Sequence, residues 1–368
     1  MVDIPGAFAT TYDEARAKFI DAAQARGLAV ERNMHPHATG ADGEALSIDV
    51  AQFGAGDATS LLVLLSGMHG VEGFAGSGCQ VALLHDESVM TAIERSGVAM
   101  LFVHAVNPYG FSHLRRVNED NIDLNRNFRD FSQPPPANPA YTAIHSIVVP
   151  ATWPPPADNA AAIGDYVARH GVLQLQAAVS RGQCDFADGL FYAGRAPAWS
   201  NGVLRDVLAR HGEGRAKLGW IDVHTGLGPW GHGEKIYCGP DEAARIARTR
   251  AWFGPDVTTF YDGSSTSAEL TGVSFRAALE SCPHAEFTGI GLEYGTQSYQ
   301  EVFQALRAEQ WLANHPEAGK PMRQMIKRQM RAAFDDERDV WKGMVYGQAR
   351  VAVLQALRAL ATRSVALV

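Results

Sequence analysis

His69 and Glu72 stand three residues apart in Leu61 to Gly73, LLVLLSGMHGVEG, directly after an apolar run. An imidazole and a carboxylate placed so can share one metal ion. A catalytic zinc takes three protein ligands, commonly two His and one Glu, and keeps a fourth position for water. His224 is the candidate third ligand: it follows the short apolar stretch 218–223 in IDVHTG, and glycines come soon after it, as they do after His69. Asp222, two residues earlier, falls on the same side if the strand continues, so it can orient the ring. A lone His at a strand end is usually structural; the repeat of strand, then His, then Gly raises the odds of chemistry here. Glu293 ends another apolar run, Glu286 to Tyr294. A carboxylate there is costly unless it is paired or catalytic.

Between these runs lies NPYGFSHLRRVNEDNIDLNRNF, residues 107–128, too polar for core and straight after a buried strand, which marks it as a site loop. Arg115, Arg116 and Arg126 can form a fork for a carboxylate or an oxyanion. They can equally be a solvated loop bridged to Glu119, Asp120 and Asp123. Taken together, His69, Glu72 and His224 make a His₂Glu zinc set, with Glu293 as a free carboxylate and Arg116, Asn125 and Arg126 as donors. Those parts suit metal-assisted amide hydrolysis. Glu293 would take a proton from the metal-activated water and hand it to the leaving nitrogen, while an Arg offsets the developing charge. Other chemistries fit worse. Ser77 in FAGSGC lacks a nucleophile elbow because Ala75 holds the first Gly position, and neither a dinucleotide fingerprint nor a P-loop is present.

The elements that must position these groups follow from periodicity. Residues 8–26 predict an amphipathic helix capped by Thr10 or Thr11 and stopped by Gly27, and His35 and His37 beside Pro36 predict a polar surface loop. Residues 45–52 and 61–66 predict neighbouring strands joined by the turn 54–59, with a helix over 77–84. Residues 98–105 predict a buried strand holding His104 as a satisfied core histidine. Two proline clusters in 132–156 wrap the surface as extended connections. Helices are expected over 159–180, 199–211 and 241–252, a polar loop over 258–272, and helical structure from 298, with 320–338 as a solvated charged face.

The whole is an ordinary globular composition, 46% apolar and 20% charged. A net charge of −8 without a Lys/Arg cluster argues against nucleic-acid or anionic-membrane partners. Cys79, Cys184, Cys238 and Cys282 are far apart without a CxxC pair, which fits four reduced thiols and a cytoplasmic protein. The first residues have neither the basic nor the apolar region of a signal peptide.

In order, HGVEG (69–73), NPYG (107–110), RVNEDNIDLNRNF (116–128), IDVHTG (221–226) and GLEYGT (291–296) resemble the blocks of the zinc carboxypeptidase superfamily, peptidase family M14. DLNRNF and VHTG together are most similar to its bacterial DUF2817 branch, which sits between carboxypeptidases and aspartoacylase-like deacylases. The resemblance implies a phosphorylase/hydrolase-like twisted mixed β-sheet with helices on both faces, in one domain over 1–368. That domain would hold a catalytic core at about 45–300 and a C-terminal helical extension at about 298–365. It implies one zinc per chain on His69, Glu72 and His224, general acid/base action by Glu293, oxyanion support from Arg116, and Asn125 and Arg126 on a substrate carboxylate. The expected substrate is a small peptide or an N-acyl amino acid. A carboxylate-binding protein without turnover is the reading from another class. Tyr109 replaces the family's Asp, Arg115 competes with Arg116 for the metal side, and Tyr261 or Arg276 is the candidate for a further substrate contact.

Overall fold

A computed structural model describes residues 2–361. Seven strands, β1 (Val30–Thr39), β2 (Ala45–Phe53), β3 (Ser60–Leu65), β4 (Ala99–His104), β5 (Lys217–Trp230), β6 (Gly233–Cys238) and β7 (Glu286–Gly295), form one sheet in the order β1-β2-β4-β3-β5-β7-β6. The central β4, β3, β5 and β7 are mutually parallel, while β1, β2 and β6 join antiparallel. β3 and β4 are buried along their whole length. Their side chains alternate between two cores, so a strand without polar alternation is what a sheet covered on both sides requires.

Leu62, Leu64, Ile221 and Val223 face one core with the helices Tyr12–Ala25, Gly73–His85 and Asp339–Ala361. Leu61, Val63, Leu65 and Trp220 face the other, closed by the helices Trp199–Gly212 and Phe275–Ser281. Each fully buried Leu or Val contributes about 1.5–3 kcal/mol of burial free energy, and such residues are concentrated at the sheet centre. The chain leaves β3 for β4 on one side and later returns to β5 on the other. The reversal opens a crevice past the carboxyl ends of β3 and β5, where ligands bind in such sheets.

The expected mixed sheet with helices on both faces is present, with local corrections. β2 and β3 are not neighbours, because β4 lies between them; the short crossover through two helices sets β4 directly beside β3. The presumed loop at His35 and His37 is edge strand β1, with Pro36 inside the register shift between Met34 and Thr39, a place where a missing N–H is tolerated. His37 is nonetheless exposed. The expected helix 159–180 breaks at Gly171, φ +86°, into Ala157–His170 and Val172–Ser180. His104 meets Ser77 Oγ at 2.9 Å but its Nδ1 has no partner, and burial lowers its pKa to about 3, so it stays neutral. The stretch 320–338 is more than a solvated face: in the helix Lys320–Phe334, Ile326, Met330, Ala333 and Phe334 are buried. Residues 362–365 of the expected C-terminal extension lie outside the described residues. Among those described, no helix is long and apolar enough to cross a membrane.

Candidate metal centre

Past β3 the chain turns through Gly67, φ +65°, into the short 3-10 helix Gly70–Glu72. Side chains three apart eclipse in such a turn, and His69 Nδ1 comes to 2.9 Å from Glu72 Oε1. β5 supplies His224, whose Nδ1 lies 3.1 Å from Glu72 Oε2 and 3.2 Å from His69 Nδ1. All three residues are buried, with ligand atoms within 4.8 Å of one another. Tetrahedral bonds of about 2.0–2.1 Å set ligand atoms about 3.3 Å apart, close to the spacing found here.

The outward ring nitrogens are also held. His224 Nε2 lies 3.1 Å from Asp222 Oδ2, and His69 Nε2 lies 3.3 Å from Asp123 Oδ1. Carboxylates in this position fix the tautomer and the tilt of a ligating ring. Arg116 Nη2 is 2.7 Å from the same His69 nitrogen. A cation held at Nδ1 would leave the proton on Nε2, for which Asp123 is the acceptor within reach. Ser274 Oγ donates to Asp222 Oδ2 at 2.9 Å, and Ser274 N–H donates to Asn125 Oδ1 at 2.8 Å, so the site loop and the His224 side of the cluster share one hydrogen-bond chain.

Charge supports the same fit. Among the described residues, Arg116 and Arg126 are the fixed cations that the group of Glu72, Asp123, Asp222 and Glu293 meets at this site. Two negative charges are left over, the number a divalent ion neutralises. In the protein alone, protons do this work: His224, with carboxylates at both nitrogens, has its pKa raised well above the ordinary value. Burial, with the Glu72 charge added, pushes Glu293 up to about 8.

Arg116 reaches this centre because its loop is stitched to the His69 turn. Gly70 N–H donates to Arg116 O at 3.1 Å and Val71 N–H to Arg115 O at 2.8 Å. The backbones approach so closely that a Cβ on Gly70 would lie 2.0 Å from the Gly110 carbonyl carbon. Arg116 then donates to Glu72 Oε1 and Asp123 Oδ2, both at 3.0 Å. Arg115 points the other way, to Glu309 at 2.9 Å and Asn121 at 2.8 Å, which resolves the ambiguity between the two. Arg126 spends Nε on Ser180 O and Nη1 on Asn125 O, both at 2.8 Å. Among the described residues its Nη2, the Asn125 Nδ2 and the Glu293 Oε2 make no hydrogen bond to protein. Glu293 Oε1 accepts from Leu227 N–H at 3.0 Å, and β7 registers Glu293 beside His224. His69, His224, Arg116, Asn125, Arg126 and Glu293 all line one cavity of about 130 Å³.

A family model described as "Protein of unknown function (DUF2817)" matches residues 8–348. The chain belongs to this family. No curated protein matches this family member. Among solved structures, its fold is similar to thrombin activatable fibrinolysis inhibitor, with 10% identity over 96% of this chain and 77% of that one and a TM-score of 0.53. The bovine protein, solved with tick carboxypeptidase inhibitor, gives 11% identity over 96% and 98% of the two chains and a TM-score of 0.50. A metallo-carboxypeptidase from Burkholderia cenocepacia follows at 12% identity over 93% and 68%, TM-score 0.45. At such identities the likeness is one of fold, and this DUF2817 chain has the zinc-carboxypeptidase-like fold.

Not every expected contact is made in this family member. Tyr261 donates to Gly239 O at 3.0 Å and Arg276 is exposed and paired with Glu280, so neither lines the cavity. Tyr109 stacks on His113 at 4.1 Å, also outside it. Asp123 was legible only as a salt-bridge partner, because an Asp among arginines looks the same whether or not it also faces a ligand ring. Ser274 and the cavity walls from the helices Tyr299–Asn314 and Lys320–Phe334 carried no signal: Tyr299 and Phe303 fell in a stretch legible only as helical, and Phe334 in one that reads as a solvated charged face.

Proposed function

We propose that this chain is a zinc-dependent hydrolase that cleaves an amide bond next to a free carboxylate, carboxypeptidase-like, in the cytoplasm. One observation carries the reading: His69 and His224 of the two-His, one-Glu cluster line a single cavity together with Glu293, which keeps one oxygen unbonded, and Asn125 and Arg126, which keep unbonded donors. Free cysteines support the reducing compartment.

His69, Glu72 and His224 would hold the ion through Nδ1, a carboxylate oxygen and Nδ1, while Asp123 and Asp222 keep the rings in place. Zinc there would acidify a bound water and polarise the amide carbonyl. Asn125 Nδ2 and Arg126 Nη2 bind the substrate carboxylate and so set the scissile amide. Glu293, fixed at Oε1 by Leu227 N–H, is free at Oε2 to accept a proton and return it to the leaving nitrogen. Arg116 lends positive charge at the cavity wall. A deacylase of N-acyl amino acids would use the same groups. A binding protein without turnover would have no use for Glu293, whose burial needs a compensating role.

Metal content of the purified protein, with a chromatographic screen of dipeptides and N-acyl amino acids before and after chelation, tests the proposal. About one zinc per chain and chelator-sensitive release of an amino acid are expected; folded, metal-free and inactive protein would refute it. Asp222→Asn is expected to weaken zinc binding about 10- to 100-fold, read by competition with a chromophoric chelator; unchanged affinity would remove Asp222 from its positioning role. Arg126→Gln is expected to raise KM about 10- to 100-fold, the loss of one charge-assisted hydrogen bond, with zinc content unchanged. A fall in kcat at constant KM would assign Arg126 elsewhere.

A further inference from the structure

Arg115 and Arg116 are adjacent, yet their side chains leave the chain in opposite directions, Arg116 toward Glu72 and Asp123 and Arg115 toward Glu309. The backbone that divides them is unusual. Leu114 stands at φ +50°, a left-handed conformation uncommon outside glycine. Such a conformation persists where the surroundings over-determine it. Here Arg115 N–H donates to Gly110 O at 2.7 Å, and Lys327 Nζ donates to Leu114 O at 3.4 Å.

The surroundings converge on one oxygen. Glu309 Oε1, on the helix Tyr299–Asn314, accepts from Arg115 Nε and from Lys327 Nζ of the helix Lys320–Phe334, each at 2.9 Å. Arg115 also donates to Asn121, whose Nδ2 donates to Ala187 O at 2.9 Å and Gly189 O at 3.0 Å, so the far side of the loop is tied as well. Glu309 is 4% exposed. Burial alone would raise its carboxyl, but the charges of Arg115 and Lys327 hold it below the ordinary value, and it stays ionised. Burying such charges costs about as much as their attraction returns. Stability alone therefore does not account for an ionic junction whose members stand next to the buried, apolar Ala308 and Ile326. What the junction does fix is direction: with Arg115 held on one side, the next side chain must leave on the other.

We infer that Glu309 is a positioning residue of the proposed site. Through Arg115, with Lys327 as a second tie, it holds the backbone at 114–115 in the conformation that aims Arg116 at Glu72 and Asp123. The kinetic part of this inference rests on the hydrolase reading above; the structural part does not.

Two readouts on the full chain test it. The first is the Arg116 Nε–H resonance in a proton–nitrogen spectrum, identified by its loss in Arg116→Lys. Glu309→Gln is expected to shift it, while Asp86→Asn, which breaks the carboxylate–arginine pair with Arg350 elsewhere in the fold, leaves it in place. The second is kinetics on whichever dipeptide or N-acyl amino acid is cleaved. Glu309→Gln is expected to lower kcat by about 100-fold, the scale of a misplaced site group, with KM and zinc stoichiometry unchanged, and to cause no further loss in an Arg116→Gln background. Should Glu309→Gln fail to fold, Lys327→Met, at a side chain 22% exposed, is expected to give the same shift and about a tenfold loss in kcat. A lowered thermal midpoint with the resonance and kcat unmoved would overturn the inference in favour of packing alone, and the full loss recurring in the Arg116→Gln background would show that Glu309 does not act through Arg116. If no compound is turned over by wild type, the hydrolase reading fails, and an unshifted resonance in Glu309→Gln still overturns the positioning role.

Discussion

Glu293→Gln is expected to bind zinc as wild type does and to lose turnover by about 10²- to 10⁴-fold, the usual worth of a positioned general acid/base. The substitution keeps the volume and an acceptor for Leu227 N–H, so the peptide around β7 has no reason to move. What it removes is the capacity of Oε2 to hold a proton and give it up. The surroundings prepare that capacity: burial and the Glu72 charge lift the carboxyl to about 8 in the protein alone, and a divalent ion among the ligands pulls it back down. The two effects oppose each other, so the ion would draw the group down from that raised value toward the ionised form that accepts a proton. The measurement is single-turnover rate beside zinc stoichiometry. Full activity in the variant would reject Glu293 as the proton carrier, and lost zinc would mean that it acts through the ligand set instead.

Removal of the metal is expected to have the second largest effect, on both turnover and stability. Zinc at 100 to 1,000 times its dissociation constant stabilises the native state by about 2.7–4.1 kcal/mol, and a chelator should lower the thermal midpoint of wild type by the corresponding few degrees. His224→Ala is expected to be inactive and to show no such shift, because one Nδ1 of the cluster is gone. Proton release is a second readout. His224 stands between Glu72 and Asp222, both at 3.1 Å, and is protonated on both nitrogens without the ion. Binding at Nδ1 must expel a proton, which calorimetry in buffers of different ionisation enthalpy detects. A chelator-insensitive midpoint together with turnover in His224→Ala would refute the ligand set.

What could be read before folding and what could not follow a physical division. His69, Glu72, His224 and Glu293 were legible because each breaks an apolar strand pattern at its end, where burial makes an ionisable group expensive. The strands β3, β4, β5 and β7 were legible for the same reason in reverse, as runs with no polar side. β1 was not, since its exposed and half-buried positions alternate but the residues that fill them, VERNMHPHAT, show neither apolar alternation nor a buried run. Strand order failed at β2, because pairing is decided by the crossover from β3 to β4 and not by distance along the chain. Asp123 and Ser274 were invisible as positioning groups: their roles are bonds to residues 54 and 52 positions away, and nothing local distinguishes them. The cavity walls were hidden as well. Phe334 and Phe303 lie on helical stripes identical in pattern to those that merely pack.

The helix Lys320–Phe334 ends against the sheet, with Thr225 Oγ1 and Thr296 Oγ1 each donating at 2.6 Å to its Phe334 and Ala333 carbonyls. Trp341 then donates to the last carbonyl of β7, Gly295, at 3.0 Å. A nascent chain emerges N-terminus first, so every proposed ligand and Glu293 leave the ribosome before the helices Tyr299–Asn314 and Lys320–Phe334, which supply the last part of the cavity wall. Completion of the cavity therefore waits on these two late helices, which close over groups already supplied by the sheet.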